Sequence, residues 1–273
     1  MERQGNDPSA DSPVRALAMD RPHSARVWNY WLGGKDCYQV DRELGDKVAR
    51  LVPGIVESAR ADRDFLNRAV HHLAEQKGIR QYLDIGTGLP TMENTHEVAQ
   101  RIAPESRIVY VDHDPMVLSH ARALLTSAPE GATDYIDADL REPEKILAAA
   151  AKTLDFDKPI ALMLLAVVHL IVDDDEAYGL VRRLMAALPP GSHLVLTHAC
   201  TDAPTTRTAV QAYNESAIPT EIKGRSKSEI AAFFESLTLI PPGIVPCPDW
   251  HPTPTPQRTP HEVMTYCGVA TKP

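Results

Sequence analysis

Tyr82-Leu83-Asp84-Ile85-Gly86-Thr87-Gly88-Leu89-Pro90 decides the fold of this chain. Leu83 and Ile85 supply a short apolar strand, and Gly86 and Gly88 a tight turn that a ligand can approach closely. Pro90 suits the first turn of a following helix, where its missing N–H costs nothing. A dinucleotide bound here would set its pyrophosphate beside Asp84, and the two negative charges would repel. A ligand with a positively charged amino-acid end would be attracted instead. Asp84 lies within the strand-to-turn junction, where a buried charge without a partner is costly.

Downstream, the same rhythm repeats. Asn94 to Ile102 reads as a helix, Arg107 to Asp112 as a β-branched strand, and Pro115 to Leu125 as a helix. Asp134 to Ile136 is a weaker strand, followed by a helix from Pro143 to Thr153. Pro159 to Leu165 is a nearly uninterrupted apolar strand, the pattern of a parallel strand buried on both faces. A helix from Asp173 to Leu188 and a strand from His193 to Thr197 complete the series. Short connections between alternating strands and helices predict an α/β, Rossmann-like, doubly wound and mostly parallel sheet. Beyond it, Thr205 to Ser216 and Ser226 to Ser236 read as helices, with Ser226 or Ser228 as an N-cap. Leu237 to Val245 and Val263 to Ala270 read as strands, giving seven in all with an antiparallel C-terminal strand.

Upstream, Val27, Tyr30 and Trp31 fall at helical spacing, and Gly33-Gly34 ends that helix. Its aromatic face either docks onto the main domain or roofs a small-molecule site, with Tyr30, Lys35 or Tyr38 facing the pocket. The helix from Ser58 to Lys77 carries Phe65, Leu66, Ala69 and Leu73 on one face. Arg60, Arg63 and Arg68 read as its solvated side. The expected organisation is a disordered tail over residues 1–12, a helical cap over 13–77 and the main domain over 78–273. The length suits one such domain with a cap. A net charge of −9 argues against a nucleic-acid surface. No apolar run is long enough for a membrane span, and the N-terminus lacks a signal-peptide pattern, so a cytoplasmic protein is expected. Four scattered cysteines without a C-x-x-C pair read as reduced thiols, and the scattered histidines give no metal site.

Three acids fall at the strand ends: Asp84, Asp112 and Asp139. In an open parallel sheet, ligands bind beyond the carboxyl ends of the strands. Asp112, one βαβ step after Asp84, can accept hydrogen bonds from both hydroxyls of a ribose. Asp139 then lies where an adenine amino group would fall. Asp114 and Asp173 are explained as helix caps.

Asp84-Ile85-Gly86-Thr87-Gly88 resembles the first motif of class I S-adenosylmethionine-dependent methyltransferases. The resemblance continues through Asp112, Asp139, Leu165 to His169, and Leu188 to Leu196. More closely, the chain resembles an actinobacterial family of S-adenosyl methyltransferases, by Arg26 to Arg42 with its Trp-Leu-Gly-Gly core, Gly86 to Thr91, and Tyr110 to Pro115. Many relatives in the broad superfamily have a third glycine where this chain has Pro90, and the Asn-Pro-Pro-Tyr block of adenine-N6 methyltransferases is absent. The resemblance implies S-adenosylmethionine as cofactor. It sets Gly86, Thr87 and Gly88 under the methionine portion, with Asp84 near its ammonium. Asp112 would hold the ribose, His113 would pack beside the adenine, and Asp139 and Leu140 would contact the adenine edge. Ala166 would border the sulfonium.

Methyl transfer to a small-molecule acceptor is the expected activity. A general base is needed only for an acceptor that enters protonated, and His169 is the candidate, against a structural histidine at a strand end. Tyr213 and Trp250 shape the acceptor pocket or pack in the core. The alternative is a catalytically inactive S-adenosylmethionine-binding sensor. An NAD-dependent oxidoreductase fits poorly, because Thr91 breaks G-x-G-x-x-G and Asp84 stands where an apolar residue is usual.

Overall fold

Continuous apolar runs are the reason the inner strands of a five-stranded parallel array lie at the centre of the protein, covered on both faces. A computed structural model gives their arrangement and describes residues 21–90, 93–124, 126–215, 220–252 and 263–273. The strands are β1 (Gln81–Ile85), β2 (Arg107–Asp112), β3 (Ala132–Asp137), β4 (Ala161–Leu164) and β5 (His193–Ala199). With β8 (Thr265–Thr271) antiparallel to β5, they stand in the order β3-β2-β1-β4-β5-β8. Order reverses between β1 and β4, which opens a crevice at their carboxyl ends.

The single strand expected from Leu237 to Val245 is divided. Pro241-Pro242-Gly243 interrupts it, because proline cannot donate to a ladder. Only β6 (Thr238–Leu239) and β7 (Val245–Pro246) pair with the outer edge of β8. The sheet thus has eight strands, the last two sharing its seventh position.

The expected caps are mostly present. In α7 (Asp174–Ala186), Asp173 accepts a hydrogen bond from the Glu176 amide, and Ser226 forms a capping box with Glu229 at α9 (Lys227–Ala232). The turn after β1 does not enter a helix at Pro90. α4 (Thr95–Ile102) starts later, capped by Asn94 and Glu97. α5 (Pro115–Leu124) and α6 (Pro143–Ala150) close the other crossovers.

Three helices precede the sheet: α1 (Ser24–Trp31), α2 (Gln39–Leu51) and α3 (Ile55–Gln76). Asp41, fully buried, ties the first two together. Its carboxylate accepts from the His23 and Tyr38 amides at 2.9 and 2.8 Å and pairs with Arg26 Nε at 2.9 Å. Trp31 Nε1 donates to the Gly45 carbonyl at 3.2 Å. α1, α2 and α8 (Pro204–Asn214) share a small apolar core that includes Val27, Trp31, Leu44, Val48 and Tyr213.

α3 joins that core through Ala59 and continues onto the sheet. Its Phe65, Leu66, Ala69 and Leu73 share a core with Tyr82, Ile108, Met163 and Val195 on one face of the sheet. The boundary expected at residues 77/78 therefore falls inside one packed unit. The expected tail, residues 1–12, lies outside the described residues, as does most of the proline-rich stretch after His251. Among the described residues, no helix is long and apolar enough to cross a membrane.

Candidate functional site

The turn after β1 is shaped by its neighbours as much as by its own glycines. Gly86 and Thr87 donate their amides to the Val111 carbonyl at 2.8 and 3.4 Å, which curls the chain over the end of β2. Gly86 has φ +75°, and a Cβ there would stand 2.5 Å from Val167 Cγ2, so only glycine fits between this turn and the one after β4. Gly88 also has positive φ, but a Cβ there would meet no atom within 4 Å. The first glycine is required by packing; the second faces open space.

Asp112 closes β2 and is 8% exposed. Its Oδ2 accepts from the Gly88 amide at 2.9 Å and its Oδ1 from the Asp114 amide at 2.9 Å. Both oxygens are thereby fixed at the lip of the crevice, each with a lone pair still available. Asp84 is more deeply placed. Its Oδ2 accepts from the Thr95 hydroxyl at 2.7 Å, while burial pushes its carboxyl up to about 6. Thr95 and the Arg63 guanidinium offset part of that rise.

Arg63, on α3, is therefore not on a solvated face. It lines the crevice, donates to Asn94 Oδ1 at 3.1 Å, and burial lowers its own pKa. Arg68 is also inward, holding the Cys247 and Trp250 carbonyls at 2.7 and 3.0 Å. Arg60 is exposed as expected. Periodicity assigned the three to one face, but it cannot register that a roof lies above α3.

Asp84, Gly86, Thr87, Gly88, Asp112, His113, Ala166, His169 and Tyr213 all line a single cavity. Tyr30, Tyr38, Asp139 and Leu140 do not line it. The Tyr30 hydroxyl donates to Asp46 at 2.7 Å, and Tyr38 packs near Leu89 and Met116. Asp139 receives the Arg141 amide at 2.8 Å, and Leu140 is in the core below the sheet. Trp250 packs edge-on against Phe65 inside the core rather than in the cavity. Trp28 and Trp31, a turn apart on α1, supply the aromatic wall instead.

At the far end of the cavity, Ala166 follows β4 with φ +48°, and its amide donates to Thr197 Oγ1 on β5 at 2.8 Å. His169 and His198 stand edge to face, with ring centroids 6.0 Å apart. Beneath them Arg225 is fully buried, donating to His198 Nε2 at 2.8 Å, to the Ile171 carbonyl at 3.0 Å and to Asp174. Because Arg225 donates to Nε2, the His198 Nδ1 carries the proton that reaches the Ala199 carbonyl at 3.0 Å. Burial first, then the nearby guanidinium, pushes His169 down to about 4, and burial with His169 takes His198 to about 3. Both imidazoles are neutral at physiological pH.

Two residues had no sequence reading as site residues. Asp62 and Arg63, adjacent on α3, both line the cavity. Asp62 carries a detectable signal: it sits among Ser58, Phe65 and Leu66 on the buried stripe of an amphipathic helix, where a carboxylate is out of place. It is 5% exposed, and burial raises its carboxyl to about 6.

A family model described as S-adenosyl methyltransferase matches residues 10–273. Two solved structures are similar over nearly the whole chain. One, a DUF574 family protein from Streptomyces avermitilis MA-4680, is 44% identical, with a TM-score of 0.89 over 94% of this chain and all of that one. The other, a candidate methyltransferase from Thermobifida fusca YX, is 38% identical, with a TM-score of 0.84 over 95% of this chain and 98% of that one. The mitomycin 7-O-methyltransferase, 19% identical with a TM-score of 0.51 over 91% of this chain and 68% of that one, shares the fold. Comparison with curated proteins finds no match.

Proposed function

The chain belongs to the S-adenosyl methyltransferase family, and on that premise we propose that it methylates a small molecule enclosed beneath α1 and α8. The observation that carries this reading is the shared cavity. It brings the Gly86–Gly88 turn and Asp112 at the β1–β2 ends together with the aromatic side chains of Trp28, Trp31 and Tyr213. An intact nucleic acid finds neither the room nor the charge in such a chamber on a protein of net charge −9.

The residues at the β1–β2 end fit S-adenosylmethionine. The space beside Gly88 admits a ligand against the backbone. A buried carboxylate (Asp84) and a buried guanidinium (Arg63) suit the ammonium and carboxylate of an amino-acid tail. Asp112 would hold the ribose hydroxyls, with His113 beside the adenine and Ala166 bordering the sulfonium. Bound there, the cofactor supplies a methyl group already activated by its positive sulfur. The protein's task is then alignment and the exclusion of water, which the apolar roof serves. His169, held near 4, is too weak a base to match a working pH near 7. We assign it a positioning role as a neutral hydrogen-bonding group.

Calorimetry tests the cofactor half of this reading: S-adenosylmethionine and S-adenosylhomocysteine should bind and NAD should not. Transfer of a labelled methyl group across a small-molecule panel tests the other half. Binding without transfer to any member would favour the sensor reading, and tight NAD binding would overturn the site assignment.

A further inference from the structure

α3 crosses above the strand ends, and its consecutive residues Asp62 and Arg63 reach opposite halves of the cavity. Arg63 lies toward β1 and β2, where it meets Asn94 and the Asp84 carboxyl. Asp62 lies toward β4 and β5. There the Thr197 hydroxyl hydrogen-bonds its carboxyl, and the same Thr197 oxygen receives the Ala166 amide. One turn before, Ser58 accepts the Met264 amide at the start of β8, which fixes the helix rotation on this side.

Asp62 Oδ1 is buried and has no hydrogen-bond partner. A buried carboxylate oxygen left unpaired is expensive, and burial accordingly raises this carboxyl to about 6. Of the charges it senses, the adjacent Arg63 guanidinium relieves part of that cost and Asp84 adds to it, and neither supplies a hydrogen bond to Oδ1. The chamber that Asp62 lines also carries the aromatic and aliphatic side chains of Trp28, Trp31, Leu32, Ile55 and Ile222. A buried carboxylate with an unpaired oxygen, in a chamber that also has aromatic walls, favours a cation with an apolar body.

We propose that Asp62 is the acceptor-binding carboxylate of this methyltransferase, and that the acceptor presents an amine on an apolar, aromatic-sized body. The assignment rests on the small-molecule methyl-transfer reading above and narrows it to a substrate class. An amine arriving protonated forms an ion pair with Oδ1. Inside the chamber the N–H bond breaks, its electron pair stays on nitrogen, and the proton forms an O–H bond on Asp62. That exchange is accessible because a desolvated ion pair loses much of its advantage over the neutral pair. The nitrogen lone pair is then free, and Thr197 holds the carboxyl in place throughout.

The test uses binding rather than turnover. Full-length protein saturated with S-adenosylhomocysteine is titrated calorimetrically with tryptamine and with tryptophol, which differ only in amine against hydroxyl. The expected result is at least a tenfold preference for tryptamine, collapsing to under threefold in Asp62→Asn. Affinities of the variant for S-adenosylmethionine and S-adenosylhomocysteine should stay within twofold of wild type. Thr197→Val, which keeps the carboxylate but removes the hydroxyl that aims it, should lose part of the preference and serves if the first variant folds poorly. Equal binding of the two probes, binding of neither, or a preference retained in Asp62→Asn would overturn the assignment. So would a selective loss of S-adenosylmethionine affinity, which would show that Asp62 serves the cofactor's sulfonium. Failure of wild type to bind S-adenosylhomocysteine would instead sink the cofactor reading itself.

Discussion

Replacing Asp84 by Asn removes a buried charge while keeping an oxygen for the Thr95 hydroxyl that lies 2.7 Å from it. Burial raises this carboxyl from an ordinary 3.8 to about 6 in the folded protein. At 1.36 kcal/mol for each pKa unit, holding it ionised above pH 7 costs the folded state about 3 kcal/mol. The sign follows from proton affinity. The folded state binds this proton more tightly than the unfolded chain, so the group favours folding at low pH and loses that contribution as pH rises through about 6. Asp84→Asn should therefore make the ligand-free protein more stable at pH 7.5, by up to about 3 kcal/mol, or roughly 6 °C in a domain of this size. The gain should shrink to about 1 kcal/mol by pH 4.5, where wild-type Asp84 is protonated in the fold. With the cofactor's ammonium beside Asp84 as proposed, the same variant should bind S-adenosylmethionine at least tenfold more weakly, about 1.4 kcal/mol, through loss of that counter-charge. Thermal unfolding at the two pH values, with calorimetry for the ligand, measures all three quantities. A variant less stable than wild type at pH 7.5, or a gain that persists unchanged at pH 4.5, would refute the reasoning.

Asp112→Ala should cost roughly 1–3 kcal/mol of S-adenosylhomocysteine affinity by calorimetry, the scale of hydrogen bonds to a charged group. The two glycines of the turn should separate. Gly86→Ala, whose methyl would stand 2.5 Å from Val167, should lower stability by roughly 3 kcal/mol or more from overlap and left-handed strain. Gly88→Ala has open space around the methyl and should lose only about 1–2 kcal/mol, the strain alone, while weakening cofactor binding; denaturant unfolding and calorimetry distinguish the pair. Arg225→Met should destabilise by roughly 3–5 kcal/mol, because it strips a buried charge from the His198 ring and the Ile171 carbonyl and leaves both acceptors unpaired. A chemical denaturation curve with an unchanged midpoint would contradict that last expectation.

The parallel core was legible because β1, β2 and β4 are apolar runs whose burial needs no knowledge of distant residues. Asp84 and Asp112 were legible for a related reason: a charge at the end of such a run has few structural explanations. What stayed hidden depends on partners far along the chain. Tyr30 was expected at the pocket and Trp28 takes that place, because the facing of α1 is fixed by Asp41, which binds His23 and Arg26. Arg63 read as solvated because helical spacing shows one face of α3 but not the roof above it. Asp139 and Leu140 followed the cofactor pattern in sequence, yet Leu140 turned into the core and Asp139 to the Arg141 amide. The strand from Leu237 to Val245 failed at its own prolines, a local signal outweighed by the apolar residues around them.

The contact between Gly86 and Val167 has a consequence for how this protein can be altered. It presses the turn after β1, proposed to pass under the cofactor's methionine portion, against the turn after β4, proposed to border the sulfonium, with no room for one additional carbon between them. A change of substrate range made at either turn would therefore disturb the other, and methyl-donor recognition with it. α1 and α8, which wall the chamber without touching that contact, carry no such constraint. Redesign for a new acceptor belongs in those helices, with the sheet left as an unaltered platform.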